Sequence, residues 1–376
     1  MREGWRIVPM EQLCSIKSGK SDTKDAVADG AYAFFDRSRT VKKSSRYLHD
    51  CEALIIPGEG IEFLPRHFSG KFDLHQRAYA LFNFSNLVDV KFLYHYLHYK
   101  RDYFPQVAVG ATVKSLRLRH FEQLPVSLTN IPEQRRIVAI LDEAFEGIAT
   151  AKANAEKNLQ NAREIFESHL NGVFSQRGEG WVEKRLGDVC RRITVGHVGP
   201  MAKQYKSNGI PFLRSQNIRP FSIDLDNVVF IDEAFHSSLA KSSLEVGDIA
   251  IVRTGYPGTA AVIPESLGVA NCSDLVIVRP GKGIDAHFLA AFFNSQYGKQ
   301  LVLGKIVGAA QKHFNVSAAK ETVIYIPPVT EQLEIIRAAN EMREETQHLE
   351  SLYQQKLTAL DELKQSLLHQ AFNGDL

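Results

Sequence analysis

Cysteine is scarce. Four thiols, Cys14, Cys51, Cys190 and Cys272, stand far apart in 376 residues, with no CxxC pair, which excludes zinc-finger and dithiol-redox spacing. No run of about 18 apolar residues occurs, so a membrane-spanning helix is excluded. The opening MREGWRIVPMEQLC lacks the apolar stretch of a secretory signal, and a reduced, cytoplasmic protein is expected. Nucleotide fingerprints are missing too. Gly58-Glu59-Gly60 and Gly281-Lys282-Gly283 lack the remaining glycine, and no GxxxxGK[ST] loop is present. A magnesium nuclease needs clustered carboxylates beside a lysine, whereas Glu156-Lys157 and Glu183-Lys184 are isolated and read as solvated surface. His95 and His98 lie one helical turn apart among Tyr94, Tyr96 and Tyr99 with no third ligand nearby, which reads as packing. No catalytic residue, metal ligand or cofactor of its own is expected of this chain. An excess of one charge is also absent, with 45 Lys+Arg against 43 Asp+Glu.

The composition is otherwise globular, 44% hydrophobic and 23% charged, and the length suits two or three folding units. The sequence repeats itself. EGW at Glu3–Trp5 recurs at Glu179–Trp181, and Cys14 and Cys190 follow each Trp at the same interval, an offset of 176. VGATVKSL from Val109 returns as VGAAQKHF from Val307, an offset of 198. That offset then holds through Glu133-Gln134 and Glu331-Gln332, Ile137 and Ile335, Leu159 and Leu357, to Phe174 and Phe372. The second copy therefore carries 22 extra residues between its Cys and its VGA segment.

The constant parts read as long amphipathic helices. After Pro132, apolar residues fall at Ile137, Leu141, Ala144, Ile148, Ala151, Ala155, Leu159, Ala162, Ile165, Leu170 and Val173. After Pro327-Pro328 they fall at Ile335, Ala339, Met342, Leu349, Tyr353, Leu357, Leu360, Leu363 and Leu367. Steps of three and four make a narrow stripe, and two such helices separated by a globular segment suit an antiparallel coiled coil. The variable parts read as mixed α/β. Strand-like runs are ALII at 53–56, AYALF at 78–82, DIAIV at 248–252 and DLVIV at 274–278, and helical spacing covers 91–103 and 285–302. The expected fold is α+β, with two mixed α/β domains in pseudo-two-fold repeat separated by two long helices. The expected boundaries are 1–130, 131–175, 176–327 and 328–376.

On that division the charge resolves. Residues 1–130 hold 19 Lys+Arg against 14 Asp+Glu and residues 176–327 hold 17 against 13, while 131–175 hold 5 against 7 and 328–376 hold 4 against 9. Basic globular parts and acidic helices suit domains that meet a polyanion. Forked Arg donors suit guanine edges, Asn and Gln suit adenine, and Lys, Ser and Thr suit phosphate. Stretches mixing these types are Arg37, Ser38, Arg39, Lys42, Lys43 and Arg46 in the first copy, and Arg214, Ser215, Gln216, Asn217 and Arg219 in the second. Gln76 with Arg77, and Arg253, Thr254 and Tyr256, repeat the pattern. So do the two GA segments, with Thr112 and Lys114 in one and Gln311 and Lys312 in the other, where glycine would let backbone approach a ligand. Two unlike basic readers joined by matched helices predict an asymmetric bipartite site in double-stranded DNA, with the helices setting an unread gap. The other reading of the same residues is a coiled-coil scaffold whose two globular units bind proteins.

LPVSLTNIPEQRRIVAILDEAF and YIPPVTEQLEIIRAANEM, each before a long helix, together with GDIAIVRTGYPG, IPFLRSQNI and the two GA segments, resemble the type I restriction–modification specificity subunit. The resemblance covers essentially the whole chain. It implies two target-recognition domains and two helical regions in a subunit without catalysis of its own. It also implies docking to modification subunits that use S-adenosylmethionine, two in number, and through them to restriction and translocase subunits that use ATP and Mg. A related arrangement, in which one fused nuclease–methyltransferase is the partner, fits the same sequence. The departure is in the first copy, which is shorter and has CEALIIPGEG where the second has GDIAIVRTGYPG.

Overall fold

The structure, a computed structural model, describes residues 4–201, 203–304 and 314–376. The chain divides into two compact units, Met1–Glu156 with Gln354–Leu376, and Lys157–Tyr353.

In the first unit β1 (Arg6–Pro9) leads to a six-stranded sheet. Its strands are β2 (Ser15–Ser18), β3 (Tyr32–Phe35), β4 (Lys42–Ser44), β5 (His49–Pro57), β6 (Arg66–Leu74) and β7 (Ala78–Phe82), in the order β2-β7-β5-β6-β3-β4. All pairs are antiparallel except β3 with β6. Side chains alternate across a strand, and β5 shows it. Leu54 and Ile56 enter a core with Phe92, Leu97 and Phe121, while Ala53 and Ile55 enter a smaller one with Phe35 and Phe72. Helices α1 (Val90–Tyr99), α2 (Tyr103–Val107) and α3 (Leu118–Glu122) follow, and β8 (Pro125–Leu128) returns to pair with β1. Then α4 (Ile131–Gln176) begins, with Pro132 in its first turn, where its missing N–H costs nothing.

The second unit repeats this construction. Strand β9 (Val182–Arg185) is followed by α5 (Leu186–Val189) and β10 (Cys190–Val195). Next come β11 (Ile210–Leu213), the short hairpin β12 (Ile218–Arg219) and β13 (Ser222–Ile223), β14 (Val229–Ile231) and α6 (Glu233–Ser238). The remaining strands before the helices are β15 (Ser243–Leu244), β16 (Ile249–Val252), β17 (Ala260–Val262), β18 (Ala270–Cys272) and β19 (Leu275–Pro280). Helices α7 (Ala286–Asn294), α8 (Gln296–Gly304) and α9 (Val316–Lys320) lead to β20 (Val323–Ile326), which pairs with β9, and to α10 (Val329–Asn373). The sheet order β10-β19-β16-β17 with β14-β11-β18-β15 matches the first unit strand for strand, including one parallel pair, β11 with β18. The long β5–β6 pair is here cut into β15, β16, β17 and β18. Two insertions are visible. Residues 214–228, with the β12–β13 hairpin, replace 36–41, and residues 232–242, with α6, replace 45–48.

Each unit contains an antiparallel stretch of the two long helices. In the first, Arg136 donates to the carbonyl of Leu376 (2.8 Å) and Lys152 pairs with Asp361 (2.7 Å). In the second, Arg163 pairs with Glu350 (3.0 Å), and Leu170 and Phe174 share a core with Ala339. The buried stripe of α4 runs through Ile137, Leu141, Ile148, Ala155, Ala162, Leu170 and Phe174.

Three expectations are corrected. Ile165 and Leu363 do not belong to the stripe and are 49% and 47% exposed. A straight helix drifts from a strict 3.5-residue period, and Phe166, one position on from Ile165, packs instead. The helical pattern over 91–103 is two helices, α1 ending at Tyr99 and α2 beginning at Tyr103. That over 285–302 breaks at Ser295, whose hydroxyl donates to the carbonyl of Phe292 (2.7 Å) and accepts from the Gly298 N–H (3.0 Å).

Candidate nucleic-acid interface

The repeated Glu-Gln dipeptides explain how each globular part is fixed to its helix. Asp89 caps α1 by accepting from Lys91 N (3.0 Å) and Phe92 N (3.2 Å). Its own N–H donates to Oε1 of Gln134 (2.8 Å), whose Nε2 donates to the carbonyls of Leu87 (2.9 Å) and Thr129 (2.8 Å). In the second unit Asp285 caps α7, its N–H donates to Gln332 (2.8 Å), and Gln332 donates to Gly283 O (3.0 Å) and Pro327 O (2.9 Å). Both glutamines are fully buried. The repeated Trp packs beside the same helices, Trp5 on Phe92 and Trp181 on Phe288. The repeated Phe does likewise, Phe372 on Phe92 and Phe174 on Phe288. Burial pushes the repeated thiols of Cys14 and Cys190 up to about 12, so both stay protonated packing groups.

In the first unit four loops converge, at 36–41, 58–60, 75–77 and 109–115. Their centre is Glu59, which accepts from Arg37 (3.0 Å), Arg77 (2.9 Å) and Ser115 Oγ (3.2 Å). Gly58 lies so close to the carbonyl of Arg77 that a Cβ would stand 2.7 Å from it, which fixes glycine there. Arg39 pairs with Glu62 (2.6 Å) and remains 88% exposed. Ser38 and Lys42 turn inward instead. Both donate to Asp36, at 2.6 Å each, and Arg66 donates to the carbonyl of Ser38 beneath the loop. Burial raises the Asp36 carboxyl, but these hydrogen bonds outweigh it and hold the group below the usual carboxylate range. Arg46 reaches Ser21 and Asp25, both at 3.0 Å, and the buried Asp73 at 3.5 Å, and Gln76 donates to Asp22 (3.1 Å). Lys43, Thr112 and Lys114 are exposed.

The glycine of the first GA segment also shapes its own loop. Gly110 takes φ +127 and closes its own loop, so tightly that a Cβ would meet the Val113 carbonyl at 2.1 Å. Val109 and Ser115 exchange two backbone hydrogen bonds across it, at 2.9 and 2.8 Å.

In the second unit Arg214 donates to the carbonyl of Asn227 (2.7 Å) and its guanidinium lies over Tyr205. Asn217 is buried, accepts from Arg214 N (3.0 Å) and donates to Asp224 O (2.9 Å). Its amide therefore shapes the loop, and reading a base edge would require it to leave both bonds. Arg219 pairs with Asp224 (3.1 Å), Ser215 is half-buried and Gln216 is exposed. Arg253 donates to Asp274 (2.7 Å) and to the carbonyl of Phe314 (3.2 Å), Thr254 donates to Asp274 (3.3 Å), and Tyr256 is 84% exposed. Gln311 and Lys312 lie outside the described residues.

His95 and His98 pack as read. His95 shares a hydrogen bond with Asp142 (2.8 Å), which also accepts from Lys91 (2.7 Å), and the His98 ring lies 4.6 Å from that of Tyr94. Sequence reasoning missed the carboxylate partners Asp73, Glu59, Glu62 and Asp274. Each pairs across a long stretch of chain, and no local spacing marks it.

The sequence profile of the type I restriction modification DNA specificity domain matches residues 2–160 and again residues 178–357. The chain belongs to the type I restriction–modification specificity-subunit family. It is 23% identical over 409 residues to the EcoDI specificity subunit of Escherichia coli, covering 99% of this chain and 88% of that protein. It is also 23% identical over 394 residues to the EcoKI specificity subunit of Escherichia coli strain K12, covering 98% and 82%. A chain solved in a study of complex assembly and conformational transition of the type I R-M system has a TM-score of 0.77 at 16% identity, over 100% of this chain and 99% of that one. The HsdS subunit from Thermoanaerobacter tengcongensis has a TM-score of 0.56 at 16% identity, over 100% and 98%. At such identities the solved structures speak for the fold. Each match to the specificity-subunit profile contains one complete recognition sheet and one of the two Glu-Gln clamps.

Proposed function

We propose that this chain is a non-catalytic DNA-reading subunit that recognises an asymmetric bipartite duplex site, one half-site per unit. The observation that carries this reading is one scaffold used twice, with identical clamps and sheet order but unlike polar loops. Identical supports with different readers are what two different half-sites require. Arg37, Arg39, Arg77, Lys43, Lys114, Gln216, Arg219 and Tyr256 present side chains outward for phosphate or base contact, while Ser38, Lys42 and Asn217 shape the loops that carry them. The long helices, whose second copy is strongly acidic, dock two modification subunits that use S-adenosylmethionine. Restriction and translocase subunits that use ATP and Mg join through these. All act in the cytoplasm.

The test is a base-resolution adenine methylome of cells expressing this chain with its modification subunit, compared with the modification subunit alone. A new asymmetric bipartite motif seen only with this chain is the expected result. No new motif, with the partner active and bound, would leave a protein-binding scaffold.

A further inference from the structure

The two units carry an acid–base tie at the same place with its polarity exchanged. In the first, Ala78 opens β7 opposite Pro57 at the end of β5, and Gly19 N donates to Ala78 O (3.2 Å). In the second, Leu275 opens β19 opposite Val252 at the end of β16, and Gly196 N donates to Leu275 O (2.8 Å). Just beyond these matched positions the loops are joined by a salt bridge. In the first unit the carboxylate, Glu59, follows the earlier strand and the guanidinium, Arg77, precedes the later one. In the second unit Arg253 follows the earlier strand and Asp274 precedes the later one.

Exposure is exchanged with the charge. Glu59 is 13% exposed beneath Arg37 and Arg77, at 55% and 58%. Arg253 is 15% exposed beneath Asp274, at 44%. One unit thus offers forked donors backed by an anion, and the other offers an acceptor backed by a cation. Asp274 also holds φ +53, a conformation that non-glycine residues adopt at a cost and that Asp and Asn tolerate best.

Building on the DNA-reading function proposed above, we propose that this tie is a specificity-determining position in both units, and that its polarity selects which base-edge chemistry each unit reads. The carboxylate behind Arg37 and Arg77 cancels part of their positive charge, so a phosphate gains less there than at unpaired arginines. A neutral acceptor such as the O6/N7 edge of guanine meets the remaining N–H groups and loses less by that cancellation. Glu59 therefore steers two arginines from sequence-blind phosphate contact to base reading. Asp274 rejects phosphate outright and accepts from an amino group, that of cytosine or adenine. Both carboxylates act as positioning and selecting groups and take part in no reaction.

The experiment uses the full chain in complex with its modification subunit, comparing wild type, Glu59→Gln and Asp274→Asn by adenine methylome and by binding to matched and unmatched duplex across salt. Glu59→Gln is expected to raise affinity for unmatched DNA about tenfold, to steepen the log–log salt dependence by about 1–2 as the freed arginines take phosphates, and to degenerate one half-site only. Asp274→Asn, which keeps the left-handed backbone, is expected to degenerate the other half-site only. Glu59→Asp, keeping the charge, restores most of the discrimination. Unchanged motifs in both variants overturn the proposal. So does a parallel loss of matched and unmatched binding with a lowered melting temperature, which would make the ties purely structural. Absence of any motif with the wild-type chain would instead strike the DNA-reading function itself.

Discussion

His98 shows what burial does to a single ionisable side chain here. Burial first, then the neighbouring Lys364, His95 and Arg101, push its pKa from 6.5 down to about 4. The folded first unit therefore holds His98 neutral, while the unfolded chain binds a proton below pH 6.5. Its contribution is full above pH 6.5 and is lost progressively as the pH falls toward 4, amounting to about 2 kcal/mol between pH 7 and 5. Denaturant unfolding at these two pH values should show that loss in the wild type and a flatter dependence in His98→Phe. The buried glutamines are the other residue-scale test. Gln332→Ala strands the Asp285 N–H and the carbonyls of Gly283 and Pro327 in the interior. Calorimetry should find the second unit destabilised by about 2–4 kcal/mol. Gln332→Glu, which keeps the acceptor and loses the donors, should fall between the two.

At the scale of elements, the hairpin β12–β13 is the main difference between the units. Its tip residue Phe221 packs on Phe166 of α4 (5.6 Å between centroids) and lies beneath the guanidinium of Arg343 from α10 (5.2 Å). It does so at φ +64, so packing gain is set against backbone strain. Phe221→Ala keeps the strain and loses the packing, at about 2 kcal/mol. Phe221→Gly loses the same packing but relieves the strain, and should be the more stable of the two variants by about 1 kcal/mol in thermal unfolding. If the order is reversed, the strain account is wrong. The 22 extra residues were countable in the sequence, yet nothing there marked one insertion as a strut onto the helices, because aromatic contacts between Phe166 and Phe221 span a long stretch of chain. The long helices were legible because their apolar spacing is local and repeated twice. The placement of Ile165 in the stripe failed because a period read from sequence accumulates drift along so many turns.

For the molecule as a whole, the repeat was the strongest signal, since an offset of 198 held through the clamps, the helices and Phe372 makes two units of one design almost unavoidable. The interface was only half legible. Residue chemistry singled out loops that the first unit brings together around Glu59, but which side chains turn outward depends on carboxylates such as Asp36 and Glu59, whose partners only the folded chain brings near. Binding to duplex by the full complex should fall at least about a hundredfold between 50 and 200 mM salt, the behaviour of a reader that neutralises several phosphates. Salt-independent association would contradict a basic interface in both units.

The clamps have a consequence for how such a chain can change. Gln134 and Gln332 grip only main-chain atoms of the recognition domains, namely carbonyls and the N–H of the helix-capping Asp. A joint made to the backbone is indifferent to the side chains beyond it. Loops that do not touch the joint can drift or lengthen, and a domain that keeps the Asp-capped helix and the aromatic that packs on the long helices, Phe92 or Phe288, will seat in the same socket. The protein is built so that the vocabulary it reads can be rewritten while its grammar stays fixed.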